Sequence, residues 1–155
     1  MKIRQSLAAL GLAGALMLQS LPASSQDAVP ASVSSLEGEI HSVVNGGYWS
    51  DSEDEGFIRA VIVAEGLEHV NHSLYLQWVK VDIEEQSYVL SASVGIKEIN
   101  SGHAENYVLE LKREDSELGT LRMMVVVTRV RSGGEIKYLL TADGAEGSYK
   151  ITKIN

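Results

Sequence analysis

The densest concentration of metal-seeking chemistry in this chain is Asp51-Ser52-Glu53-Asp54-Glu55-Gly56. Hard cations such as calcium are held by several carboxylate oxygens, and a glycine lets the binding loop turn sharply. Asp51, Glu53 and Glu55 hold alternating positions, as the first half of a calcium loop requires, with Asp54 between them. The match ends at the twelfth position, where Ile62 stands in place of a bidentate acid. The run is therefore read first as a solvated acidic hairpin loop, with calcium as the alternative. A second cluster is Glu68-His69-Val70-Asn71-His72. Glu68, His69 and His72 together offer a carboxylate and two imidazoles, a set that suits zinc, copper or nickel. Residues three apart point to opposite faces of a strand, so the two histidines converge only on a turn. His41 and His103 are the remaining histidines and the candidates to complete a site.

The third feature is aromatic. Tyr48 and Trp49 follow Gly46-Gly47, and Tyr75 and Trp78 lie further on. Rings at the end of a sheet can stack on sugars or apolar ligands. Tyr48, Trp49, Asp51, Glu53, Asp54 and Glu55 are thus the leading ligand-binding set. Gly47-Tyr48-Trp49 also resembles the G-x-W mark in the first strand of lipocalin-like barrels. That resemblance implies a closed barrel, with a basic residue such as Arg129 or Arg131 packed on the tryptophan. The acidic loop placed directly after Trp49 departs from the pattern.

Enzymatic motifs are sparse. The chain has no G-x-S-x-G nucleophile elbow and no glycine-rich loop that opens a helix to hold phosphate. Carboxylate pairs such as Glu84-Glu85 sit in turns, where solvation keeps them ordinary, whereas acid–base work needs a buried or charge-coupled group. A small glycan-active hydrolase or a lyase would need His41 or His103 brought beside Tyr48, Arg59 or a carboxylate.

The elements that must position these residues are strands. Period-two patterns and turn signals predict strands at Leu36–Val44, Phe57–Glu65, Ser73–Ile83, Ser87–Ile99, Ala104–Arg113, Thr120–Arg131, Glu135–Ala142 and Ser148–Lys153. Asn45-Gly46-Gly47 and Ser132-Gly133-Gly134 read as turns between them. In the fourth strand, Tyr88, Leu90, Ala92, Val94 and Ile96 alternate with Val89, Ser91, Ser93, Gly95 and Lys97 and are read as one core-facing row. Ile58–Ala64 and Met123–Val127 are apolar on both parities, which marks them as sheet centres. No helical period is sustained. Short connections require antiparallel neighbours, so the fold class is all-β: a single antiparallel domain of about eight strands over residues 36–155. A meander-type β-sandwich and a flattened β-barrel both satisfy this pattern.

The first residues read as an export address. Lys2 and Arg4 precede the apolar run Leu7–Leu18, which ends at Pro22 and Ala23-Ser24-Ser25. This order of charge, apolar stretch and small residues is that of a cleaved signal peptide, residues 1–25. The run is too short to span a bilayer, which takes about 20 residues. Residues 26–35 then form a flexible leader. Cleavage removes two of the 13 bases and none of the 21 acids. Before Lys112 only Arg59, Lys80 and Lys97 oppose the acids that remain. Such a surface repels polyphosphate, so nucleic acid and anionic lipid are not expected partners. The chain has no cysteine, hence no disulfide, no thiol chemistry and no lipid attachment.

The function expected from these readings is a periplasmic or secreted, non-enzymatic binding module that engages a protein or glycan through a sheet face or loop end. The alternatives are a calycin-like small barrel carrying an apolar ligand or metal ion, and the hydrolase or lyase above. No cofactor is expected, with calcium or zinc as the alternatives that the acidic and histidine clusters offer.

Overall fold

The computed structural model describes residues 35–50, 54–68, 70–101, 107–114, 119–144 and 146–154. The predicted signal peptide and nearly all of the leader lie outside the described residues, as do Asp51, Ser52, Glu53, His69 and His103. The strands are β1 (Ile40–Ser50), β2 (Glu55–Glu65), β3 (Asn71–Asp82), β4 (Ser87–Gly95), β5 (Tyr107–Arg113), β6 (Leu121–Arg129), β7 (Glu135–Ala142) and β8 (Tyr149–Ile154). One helical turn, α1 (Lys97–Asn100), follows β4. All strand pairs are antiparallel and pair neighbours in sequence. They form two four-stranded sheets, β1-β2-β3-β4 and β5-β6-β7-β8, and no closed barrel.

Each sheet turns one face inward. Trp49, Ile58, Leu76 and Trp78 from the first sheet meet Leu121, Met123, Val125 and Leu140 from the second. Trp78, Leu76, Leu121, Met123 and Leu140 have no exposed surface at all. Burying each such side chain contributes roughly 1.5–3 kcal/mol, and this apolar layer holds the cysteine-free chain together without disulfides. The both-parity runs fall on β2 and β6, which are interior strands of their sheets. Val61, Val79 and Val126 are accordingly buried outside the inter-sheet core.

Side chains and main chain tie the sheets together at two places. At β1, the Gly119 N–H donates to the Tyr48 carbonyl (2.8 Å). Beside it, a Cβ on Gly46 would lie 2.0 Å from the Leu121 side chain. At β3, the Leu109 N–H of β5 donates to Nδ1 of His72 (3.1 Å). The α1 turn is fixed by Asn100, whose amide accepts from the Leu74 N–H (2.8 Å) and donates to the Leu74 carbonyl (3.0 Å). That side chain satisfies Leu74 as a neighbouring strand would.

Three expectations from the sequence need correction. Asn45-Gly46-Gly47 is no turn: β1 runs through it to Ser50, with a register shift between Asn45 and Gly47. The glycines serve close approach of the two sheets instead. Tyr48 and Trp49 therefore lie within a strand and face opposite ways. The fourth strand ends at Gly95, and residues after it turn into α1. Within β4 the apolar alternation is broken at Ser91, which is skipped between the pairs Val79–Leu90 and Trp78–Ala92. A bulge of this kind swaps the faces. Ala92 and Val94 pack on the core, whereas Tyr88 and Leu90 emerge on the outside.

Candidate functional site

The outer face of the first sheet carries the most concentrated apolar and aromatic surface among the described residues. Register pairs arrange it in rows across all four strands. Tyr48, Phe57, Val79 and Leu90 form one row, from β1 to β4. Asn45, Arg59, Gln77 and Ser93 form the next. Val43, Val61, Tyr75 and Gly95 form the third. An apolar row thus lies on each side of a polar one. Within the polar row the Arg59 Nε–H donates to Oε1 of Gln77 (2.8 Å), which ties the guanidinium to the neighbouring strand.

Exposure follows from the packing. Phe57 and Tyr88 meet edge to face, with ring centroids 5.7 Å apart. They belong to the strands flanking β3, so their contact covers Val79, which is 4% exposed. The edges stay open: Tyr88 is 72% exposed, Leu90 50% and Tyr48 45%. The Tyr48 hydroxyl donates to Oε2 of Glu55. That bond first, then burial and the negative charge of the same carboxylate, raise the phenol above the ordinary tyrosine value. Tyr48 is in this way fixed as a neutral, oriented ring.

The acidic loop divides. Glu55 turns to Tyr48 on the outer face, whereas Asp54 meets the Lys80 ammonium at 2.6 Å. Lys80 also lies 3.9 Å from Glu146, in the connection between β7 and β8. Of the candidate calcium ligands in the described residues, both are engaged by other side chains and point to different places. Trp49 is 2% exposed and packs in the core beside Gly144. The sequence set Tyr48–Trp49 is therefore split between the outside and the interior.

The histidine cluster rearranges as well. His72 lies on the inner side of β3 and is 4% exposed, and Glu68 is exposed in the connection before it. The ring beside His72 is His41 of β1, with centroids 4.5 Å apart and planes tilted by 39°. Burial, then the neighbouring His41, push the His72 pKa below the usual histidine value. Its Nδ1 lone pair is occupied by the Leu109 N–H, so that nitrogen has none to offer a cation. Among the described residues no group of three or more His, Cys, Asp or Glu could hold a metal ion. Two surface recesses, of about 250 and 610 Å³, lie along Thr120–Tyr149 and Gly38–Leu67; neither is lined by histidine.

Phe57, Gln77, Tyr88 and Leu90 were not singled out as site residues from the sequence, and Arg59 was named only as a candidate for a lyase arrangement. The signals present were the both-parity apolar run of β2 and the unbroken triplet Tyr88-Val89-Leu90. Strict alternation assigned Tyr88 and Leu90 to the core.

No protein-family model, no curated protein and no solved structure matches this chain. The chemistry of its own surface carries the functional reading.

Proposed function

We propose that this chain is an exported, non-enzymatic binding module that engages a polypeptide partner through the outer face of β1–β4. The observation that carries this reading is the continuous row Tyr48–Phe57–Val79–Leu90. It is apolar in the middle and exposed at both ends, and it runs beside the polar row containing Arg59 and Gln77. Buried aromatic and aliphatic centres with hydrogen-bonding neighbours are the composition of protein recognition surfaces. Leu90 and Val43 have nothing to offer a sugar hydroxyl, which favours polypeptide over glycan. The chain's net charge of −8 favours a partner with a basic surface, because opposite potentials speed encounter.

The test is surface substitution. Leu90→Asp and Tyr88→Ala alter exposed side chains, so the fold should survive and partner capture from the native compartment should fall by tenfold or more. Leu139→Asp, on the second sheet, is the matched control. Equal loss from Leu139→Asp would refute the assignment of the face. Retention on a glycan array with no protein capture would replace the polypeptide by a sugar.

A further inference from the structure

We infer that β4 is a self-pairing edge, through which two copies of this chain join their first sheets into one antiparallel sheet of eight strands. The inference goes beyond the binding face and rests on main-chain geometry.

Two sheets have four edges, and an unprotected edge strand is a template for another chain. Three of these edges are blunted. The β1 edge has two register shifts, and its Tyr48 carbonyl is taken by Gly119. The β5 edge carries Glu110, Lys112 and Arg113 and gives its Leu109 N–H to His72. The β8 edge carries Lys150 and Lys153. By contrast, Ser87–Gly95 has no charged residue and no proline. It also holds the exposed run Tyr88, Val89 and Leu90.

The direction of its free main-chain groups can be fixed. The Ile96 N–H donates to the Leu74 carbonyl of β3 (2.9 Å), so inward-facing residues of this segment turn their main chain toward β3. Alternation then turns Gly95 and Ser93 to the open edge. The bulge at Ser91 preserves this relation for the outward-facing Leu90 and Tyr88. Among the described residues nothing bonds these groups on that edge.

A two-fold axis between Ser91 and Ala92 matches these groups to themselves. Tyr88 of one copy then faces Gly95 of the second, and Leu90 faces Ser93. Both relations occur twice, and each pair exchanges two bonds, giving about eight main-chain hydrogen bonds. The sizes also complement, because each large side chain meets a small one. Where a Cβ would stand on Gly95, the Asn100 amide nitrogen lies 3.0 Å and the Tyr75 ring 3.5 Å away. An incoming Tyr88 ring would pack across that glycine against Tyr75, as aromatic side chains do across strands. On the inward side Val89 meets Val94, and Ser91 meets Ala92. Only this register pairs outward residues with outward ones along the whole strand.

A nine-residue edge makes a small interface, so the expected dissociation constant is about 1–100 µM. Sedimentation equilibrium of the purified protein across that range reads the result directly. The wild type should move from one chain mass to two. Ser93→Lys, which sets an exposed charge opposite Leu90 of the second copy twice over, should remain monomeric with an unchanged melting temperature. Tyr48→Lys, on the far edge of the same face, should dimerise like the wild type. Hydrogen exchange on the wild type gives a second reading that needs no variant: the Leu90 and Ser93 amides should slow at least tenfold as concentration rises. A wild type that stays monomeric up to about 1 mM, a Ser93→Lys dimer, or concentration-independent exchange at these amides would overturn the inference. Partner capture that survives in Tyr48→Lys, with dimerisation intact, would count against the binding face alone.

Discussion

Adding one methyl group at Gly46 tests how the two sheets are held together. A Cβ there would stand 2.0 Å from Cδ1 and 2.5 Å from Cγ of Leu121, against the roughly 3.5–4.0 Å that carbon atoms need. Leu121 is wholly buried and begins β6, so it cannot swing into solvent. Either β1 lifts from the second sheet or the leucine leaves its rotamer. Overpacking of this kind costs about 1–3 kcal/mol. Leu121→Ala alone should cost about 2–5 kcal/mol through lost burial and the cavity left behind. In Gly46→Ala with Leu121→Ala the new methyl enters the vacated space, so the pair should cost less than the two singles together. The expected coupling is about 1–3 kcal/mol. Urea unfolding followed by the fluorescence of the buried Trp49 and Trp78 measures all four corners of the cycle. A Gly46→Ala protein within about 0.5 kcal/mol of wild type, or strict additivity in the double variant, would refute the close approach of β1 and β6.

Lowering the pH should weaken the fold through His72. Its pKa is depressed in the folded state, so the folded chain refuses a proton that the unfolded chain takes up. This contribution is complete above about pH 6.5, the ordinary histidine value. It declines as the pH falls below that value, by at most about 1.4 kcal/mol per pH unit, and levels off below the folded pKa. Urea midpoints between pH 7 and 5 check this, and His72→Leu should flatten the dependence on that limb. The two core tryptophans should respond differently to phenylalanine. Trp78 donates its indole N–H to the Asp143 carbonyl (3.0 Å), and Trp49 has no acceptor for its own among the described residues. Trp78→Phe should therefore lose about 1 kcal/mol more than Trp49→Phe in the same unfolding assay, and equal losses would contradict the bond. Asn100→Ala takes the acceptor from the Leu74 N–H and one of two donors from the Leu74 carbonyl, which keeps the Ile96 N–H, and should cost about 1–3 kcal/mol. Faster hydrogen exchange at the Leu74 amide would locate the damage.

The all-β architecture was legible because period two and short connections leave few alternatives. Seven of the eight expected strands overlap the observed ones closely, and β2 and β6 are interior as their double-sided apolar runs require. What the chain did not disclose depends on contacts between distant segments. Gly46-Gly47 has the composition of a turn, yet its use is to let Leu121 in. Ser91 has nothing in its chemistry to announce a bulge, and a single skipped residue moved Tyr88 and Leu90 from the expected core to the surface. His72 finds His41 and the Leu109 main chain, partners 31 and 37 positions away. Of the candidate site, Tyr48 and Glu55 stand together on the proposed face, and Trp49 belongs to the core.

The binding face is tested most directly by site-specific photo-cross-linking in the cells that make this protein. A photoreactive side chain at Tyr88, on the outer face of β4, should give one discrete adduct with a different polypeptide, distinct in mass from any cross-link to a second copy of this chain. The same group at Lys137, on the outer face of β7, should give none, and Leu90→Asp should abolish the Tyr88 adduct while the protein remains folded. Adducts that form equally from both positions, or an adduct at Tyr88 indifferent to Leu90→Asp, would contradict recognition through β1–β4.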